Sequence, residues 1–210
     1  MMEKPIVLEM ENKMIGLTGV ARSGKDTFYS ILKKYLEEKG IKSQRLAFAD
    51  ALKSELYDFT KDKFKIDLLN CTPENKEIVR PLMVAYGKCR RIQTEGKYWT
   101  STIQPEVNQS IANNIVPIVT DVRYIEYKED EYSWLKSHNG ILIHISRKLD
   151  DGSFVPPANI EEKSNDNKLK AVSDISIIWE TCQDVNFLYE LMQKQLKNVY
   201  ERYLQNKKTI

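Results

Sequence analysis

MIGLTGVARSGKDT, residues 14–27, decides how the rest of the chain is read. It opens as an apolar run and ends as the loop Gly19-Val-Ala-Arg-Ser-Gly24-Lys25-Asp26-Thr27. A glycine, four residues and then Gly-Lys is the spacing of a phosphate-binding loop. Gly19 lets the chain leave a strand sharply, and Gly24 lets backbone N–H groups approach phosphate oxygens with no Cβ in the way. Lys25 supplies positive charge to the β- and γ-phosphates, with Arg22 and Ser23 beside it in the loop. Phe28, Ile31, Leu32, Tyr35 and Leu36 then recur at helical spacing until Gly40, so a helix N-terminus points at the anion. Asp26 stands where the common motif has a Ser or Thr that holds Mg²⁺. Asp26 is therefore expected to hold Mg²⁺ or its water shell, with Thr27 on the α-phosphate.

Composition narrows the remaining classes. A chain of 210 residues fits one α/β domain with an inserted helical part. A net charge of +2 gives no global pull toward nucleic acid. No apolar run approaches the roughly 20 residues of a membrane span. The acidic N-terminal stretch is unlike a signal peptide. Cys71, Cys89 and Cys182 are scattered without CxxC spacing, which reads as free thiols in a reducing cytoplasm. Only His138 and His144 are present, too few for a histidine metal centre. Small-molecule partners are expected, with neither nucleic acid nor membrane.

Outward from the loop, residues 1–12 read as an arm and 13–210 as a single domain. Strands are expected over 13–18, 44–48, 115–120, 141–146 and 175–179. Helices are expected over 25–39, 49–60, 73–91, 101–113 and 124–137, with another from Val185 to Tyr203. Residues 61–72 and 94–99 read as loop. Pro81 predicts a kink or break near Arg80. Residues 147–167, with Gly152, Pro156 and Pro157, read as a mobile lid. Strands alternate with helices, and the strands are apolar runs. The expected fold is thus α/β, a mainly parallel five-stranded sheet covered on both faces, with a helical acceptor-binding insertion over about 50–114. Ligands of such sheets lie beyond the carboxyl ends of the strands.

Those ends carry a second constellation. Asp121 follows the run IVPIVT and reads either as a ligand to Mg²⁺ or its waters, or as a helix cap. Arg123 suits a phosphate oxygen pair or a surface ion pair. Arg80, Arg90 and Arg91 lie between the second and third strands. Transfer between two phosphorylated molecules needs such cations beyond the loop lysine, though a solvated helix face would look the same. Tyr98 and Trp99 could stack on a base or pack in the core. Arg147 could clamp ATP from the lid. His144 reads as a core histidine, Asp174 as a turn residue, and 127–132 as a solvated helix face.

These residues together resemble the deoxynucleoside monophosphate kinases of tailed bacteriophages. The loop from Gly19 to Thr27 is similar to theirs, as is Arg80-Pro-Leu-Met-Val-Ala-Tyr-Gly87 followed by Arg90, Arg91, Tyr98 and Trp99. Asp121-Val-Arg123-Tyr124 resembles the family's Asp-Val-Arg-Phe motif, and Pro157-Ala-Asn159 and Ser173-Asp174 also fit. The loop alone is shared with phosphomevalonate and dephospho-coenzyme A kinases. Members often carry Gln at Val84 and Thr at Lys88. The resemblance implies a P-loop three-layer α/β/α fold, an ATP·Mg²⁺ site at Ser23 to Thr27, and an acceptor site using Arg80, Gly87 and Trp99. It places Asp121 and Arg123 between the two, a homodimer as one state of assembly, and a phage host's cytoplasm as the compartment. Lys25, Asp26, Arg80, Asp121 and Arg123 become the catalytic candidates, with Asp26 and Asp121 on the metal. The alternatives are another small-molecule kinase of similar loop or a non-catalytic ATP-binding switch.

Overall fold

The structure is a computed structural model that describes residues 14–182 and 184–205. The expected arm lies outside them. Five parallel strands form one sheet in the order β2-β3-β1-β4-β5: β1 (Ile15–Thr18), β2 (Ser43–Leu46), β3 (Val116–Val119), β4 (Ile141–Lys148) and β5 (Ile175–Glu180). Helices α1 (Lys25–Glu38), α2 (Phe48–Phe64), α3 (Pro73–Gln93), α4 (Lys97–Ala112), α5 (Glu131–Ser137), α6 (Ile160–Val172), α7 (Val185–Leu191) and α8 (Gln193–Gln205) complete the chain. This is the three-layer α/β/α arrangement expected from the apolar strands.

Each face of the sheet has its own core. Ile15, Leu17, Ile118 and Ile143 pack with Phe28, Leu32, Leu196 and Val199 of α1 and α8. Met14, Val119 and Leu142 pack with Trp99, Val107, Leu135 and Leu169 of α4, α5 and α6. The central strands are buried on both sides, which is why they read as continuous apolar runs and not as alternation. Gly16 admits α5 closely, because a Cβ there would lie 2.6 Å from the Leu135 side chain. A smaller cluster of Leu56, Ile66, Leu68 and Val79 holds α2 against α3.

Besides α2 running on to Phe64 and α4 beginning at Lys97, both inside stretches read as loop, four expectations change. First, of the kink or break expected near Arg80 there is no break, because α3 runs on through Pro81. Pro81 is exposed, so the carbonyl that loses its N–H partner is left to water. Second, helix does not begin at residue 124, because α5 starts only at Glu131. The Asp130 carboxylate accepts the N–H groups of Glu126 and Tyr127, both at 2.7 Å, and Glu131 accepts those of Arg123 and Tyr124. Side chains thus satisfy the backbone that a helix would have used. Third, the lid region is structured. β4 continues to Lys148, the strap turns back through a bridge to Phe154, and α6 starts at Ile160 with Asn159 as its cap. Fourth, the C-terminal helix divides at Met192 into α7 and α8. Among the described residues no helix is long and apolar enough to cross a membrane.

Candidate active site

The loop of residues 19–24 leaves β1 with Gly19 at φ 134°, and a Cβ there would sit 2.2 Å from the Ile145 carbonyl oxygen. Gly24 has φ 89°, and its Cβ would sit 2.1 Å from the Trp179 ring. Both glycines are thus required by conformation and by space. The Trp179 indole N–H donates to the Ser23 carbonyl at 2.9 Å, fixing the loop from the end of β5. In α1 the first N–H with a helical partner is that of Phe28, which donates to Gly24 at 2.8 Å. The N–H groups of Lys25, Asp26 and Thr27 therefore point out of the helix end, where an anion fits.

Lys25 bends back into this ring. Its Nζ donates to the carbonyls of Gly19 at 2.7 Å and Val20 at 2.8 Å. Burial, aided by the positive charge of Arg123, lowers its pKa to about 8 against the pull of Asp121, Glu162 and Asp26. The ammonium is held by neutral carbonyls, a partnership that a phosphate improves upon. Two buried polar atoms nearby, Ser23 Oγ and Arg147 Nε, have no hydrogen-bond partner among the described residues. Ser23 belongs to the loop itself, and Arg147 is the register partner of Trp179, whose ring packs under Gly24. Unpartnered donors there suit an anion.

Asp121 lies two residues past the end of β3 and is buried. Its two oxygens accept the N–H groups of Phe48 at 2.9 Å and Ala49 at 2.8 Å. It caps α2 from across the sheet, and not the helix that follows it in sequence. Burial raises its pKa against the opposing charge of Arg123 and those two N–H groups. Each oxygen still has one lone pair to offer. Asp26 is exposed and turns toward β2, where Arg45 Nε lies 3.3 Å away while Arg45 Nη1 donates to Asp50. Among the described residues no three His, Cys, Asp or Glu side chains come together as a metal site.

The arginines divide sharply. The exposed Arg123 guanidinium makes no hydrogen bond or ion pair among the described residues, while its backbone is fixed by Glu131. Glu131 is buried, and burial raises its pKa to about 8 despite the Arg123 N–H. Arg80 makes a two-pronged contact with Glu77 at 2.8 and 2.6 Å. Glu77 also lies 3.9 Å from Arg22 of the loop, so α3 and the loop face each other across one shared carboxylate. Arg90 lies over the rings of Tyr86 and Tyr98, whose hydroxyls both donate to Glu55. Arg91 is 4% exposed. It sits against the rings of Tyr124 and Tyr127 and binds Asp130 at 2.9 and 2.7 Å and Glu126 at 2.9 Å. Its Nε and Nη2 are taken up by carboxylates inside the protein, so Arg91 leaves the acceptor side. Its work is to hold the 121–131 loop that presents Arg123.

Trp99 is buried, donates to the Gly87 carbonyl at 3.1 Å, and meets Tyr86 and Tyr98 edge to face. That is core packing, with no free face for a base. Gly87 permits close approach of α3 to α2, since a Cβ would lie 2.8 Å from Leu52. A cleft of about 350 Å³ opens between α2, α4 and β2, bounded by Arg45, Asp50, Glu55 and Glu106. Three carboxylates on its wall make it a poor phosphate seat.

Sequence reasoning missed Glu162, which accepts the Ala21 N–H at 2.9 Å. It also missed Trp179 behind Gly24, Glu77 between two arginines, and the buried Asp130–Glu131 pair. Only the first left a trace: Asn159 followed by Glu162 is the spacing of a helix cap. No family model and no curated protein matches this chain.

Proposed function

We propose that this chain is an ATP-dependent nucleotide kinase, moving the γ-phosphoryl group of ATP to a deoxynucleoside monophosphate. The observation that carries the reading is the meeting of two cationic flanks. The loop, with Lys25 and the outward N–H groups of α1, is one; Arg80, reached through the Arg22–Glu77 contact, is the other. Arg123, unpaired among the described residues, is near enough to Lys25 to oppose its charge. A pure ATP switch has no need of the second flank.

The attacking atom is an acceptor phosphate oxygen, anionic at neutral pH. It attacks the γ-phosphorus as the bond to the β–γ bridging oxygen breaks, and ADP leaves with that electron pair. No strong general base is required, so the protein's work is alignment and charge neutralisation. Lys25 follows the transferring group, Arg123 the charge between donor and acceptor, and Arg80 the acceptor phosphate. Arg147 and Ser23 supply donors at the rear of the ATP site. Arg90, with Tyr86 and Tyr98, remains on the acceptor side.

The carboxylates fit Mg²⁺ only as an ion that takes most of its ligands from phosphate oxygens and water. Asp121 and Asp26 would hold that water shell, and the ion would neutralise charge on the β- and γ-phosphates. The test is ADP release from ATP and Mg²⁺ with the four deoxynucleoside and four ribonucleoside monophosphates. Release dependent on one or more deoxynucleotides is expected. ATP binding without acceptor-dependent release would leave a switch protein. Release with a non-nucleotide phosphate acceptor alone would favour another small-molecule kinase.

A further inference from the structure

The first turn of α6 joins three separated parts of the molecule. Glu162 Oε1 accepts the N–H of Ala21 in the loop at 2.9 Å, across 141 residues of sequence. Glu162 Oε2 accepts the N–H of Ala158 in the strap. Its neighbour Glu161 pairs with Lys88 of α3 at 2.9 Å. Asn159 Oδ1 accepts the Glu162 N–H at 2.8 Å and fixes the backbone from which both carboxylates project. Ala21 lies upstream of the outward N–H groups of Lys25, Asp26 and Thr27. Holding it therefore leaves the anion seat open.

We propose that Glu162 is a positioning residue that locks the lid strap onto the rim of the phosphate-binding loop, with Glu161 and Lys88 latching the same turn to α3. The proposal rests on the kinase reading for its catalytic meaning, but its geometry stands apart from it. A carboxylate can accept on two oxygens, whereas a carboxamide accepts on one. E162Q therefore frees either Ala21 or Ala158. The loop rim and the strap then move independently, and the ATP site is less ordered before binding. Glu162 also adds negative charge felt by Lys25 and Arg80, so its loss alone would strengthen anion binding. Weaker ATP binding in E162Q consequently separates positioning from simple charge.

The experiment uses the full chain. Amide hydrogen exchange is measured residue by residue, and ATP affinity by calorimetry, for wild type, E162Q, K88E, E161K and K88E/E161K. In E162Q, exchange at Ala21 or Ala158 should rise at least about tenfold, the scale of one hydrogen bond to a charged group. Exchange in β1 should be unchanged and ATP affinity about tenfold weaker. K88E and E161K should each loosen the first turn of α6, and the double reversal should restore it. Exchange within about twofold of wild type at both alanines, or ATP affinity unchanged or tighter in E162Q, overturns the proposal. Should E162Q fold poorly, E162D keeps the charge at shorter reach and is read by the same two signals. Wild type that binds ATP but releases no acceptor-dependent ADP contradicts the kinase reading alone, because exchange and ATP affinity still decide the strut.

Discussion

The loop and the arginine flank are built in opposite ways. The loop is held by its own backbone and by fixed neighbours: Gly19 against Ile145, Gly24 under Trp179, and Ser23 bonded to the indole. The arginine flank is held by side chains on separate helices, and adjacent residues there have opposite fates. Arg90 rests on two half-buried tyrosine rings, whereas Arg91 is buried between tyrosines and carboxylates. A backbone-defined anion site tolerates few sequences and so leaves a motif. A side-chain-defined site depends on which way a helix face turns, and leaves none.

The contrast is broken most forcefully at Arg91. Arg91→Ala strands the Asp130 carboxylate in the interior and should cost about 3–5 kcal/mol of stability by chemical denaturation. Arg90→Ala strands no buried charge and should cost far less than Arg91→Ala. Equal effects would mean that the two are not divided as described. Next comes the loop: Lys25→Ala should lower turnover at least about 100-fold with the fold intact, the scale of one preorganised charge contact. Normal turnover would remove Lys25 from the reaction.

Arg80→Ala should raise the acceptor KM about tenfold and leave the ATP KM within about twofold, as expected when a charged hydrogen bond to one ligand is lost. A change confined to ATP would move Arg80 to the donor side. The smallest effect is read in pH. Glu131 has its folded pKa raised to about 8 from 4.5. The folded state therefore binds more protons between those values, and stability falls as pH rises through them. Glu131→Gln can still accept both N–H groups through its one oxygen. It should gain roughly 1 kcal/mol or more over wild type at pH 8 compared with pH 5. A pH-independent difference would show that Glu131 is charged throughout.

The same division explains what was legible in the sequence. The central strands were readable because burial on both faces left apolar runs, and the loop because Gly19 and Gly24 have no substitutes. Residues 127–132 read as a solvated face, yet Asp130 and Glu131 are buried. Their charges are taken up by backbone N–H groups and by Arg91, partners that composition does not reveal. Asp121 was visible as a carboxylate at a strand end, but its hold on Phe48 and Ala49 comes from a different strand's neighbour. Arg80 stood out as a cation and as the start of the stretch to Gly87, but its approach to the loop runs through Glu77, which carries no motif.

The central claim is that two anionic ligands meet end to end between Lys25 and Arg80. The most direct measurement is calorimetric binding of a single compound in which adenosine and a deoxynucleoside are joined through five phosphates. One molecule per chain should bind, at least about 100-fold more tightly than ATP and with most of that gain lost in Arg80→Ala. Affinity no better than that of ATP, and indifferent to Arg80, would contradict the account.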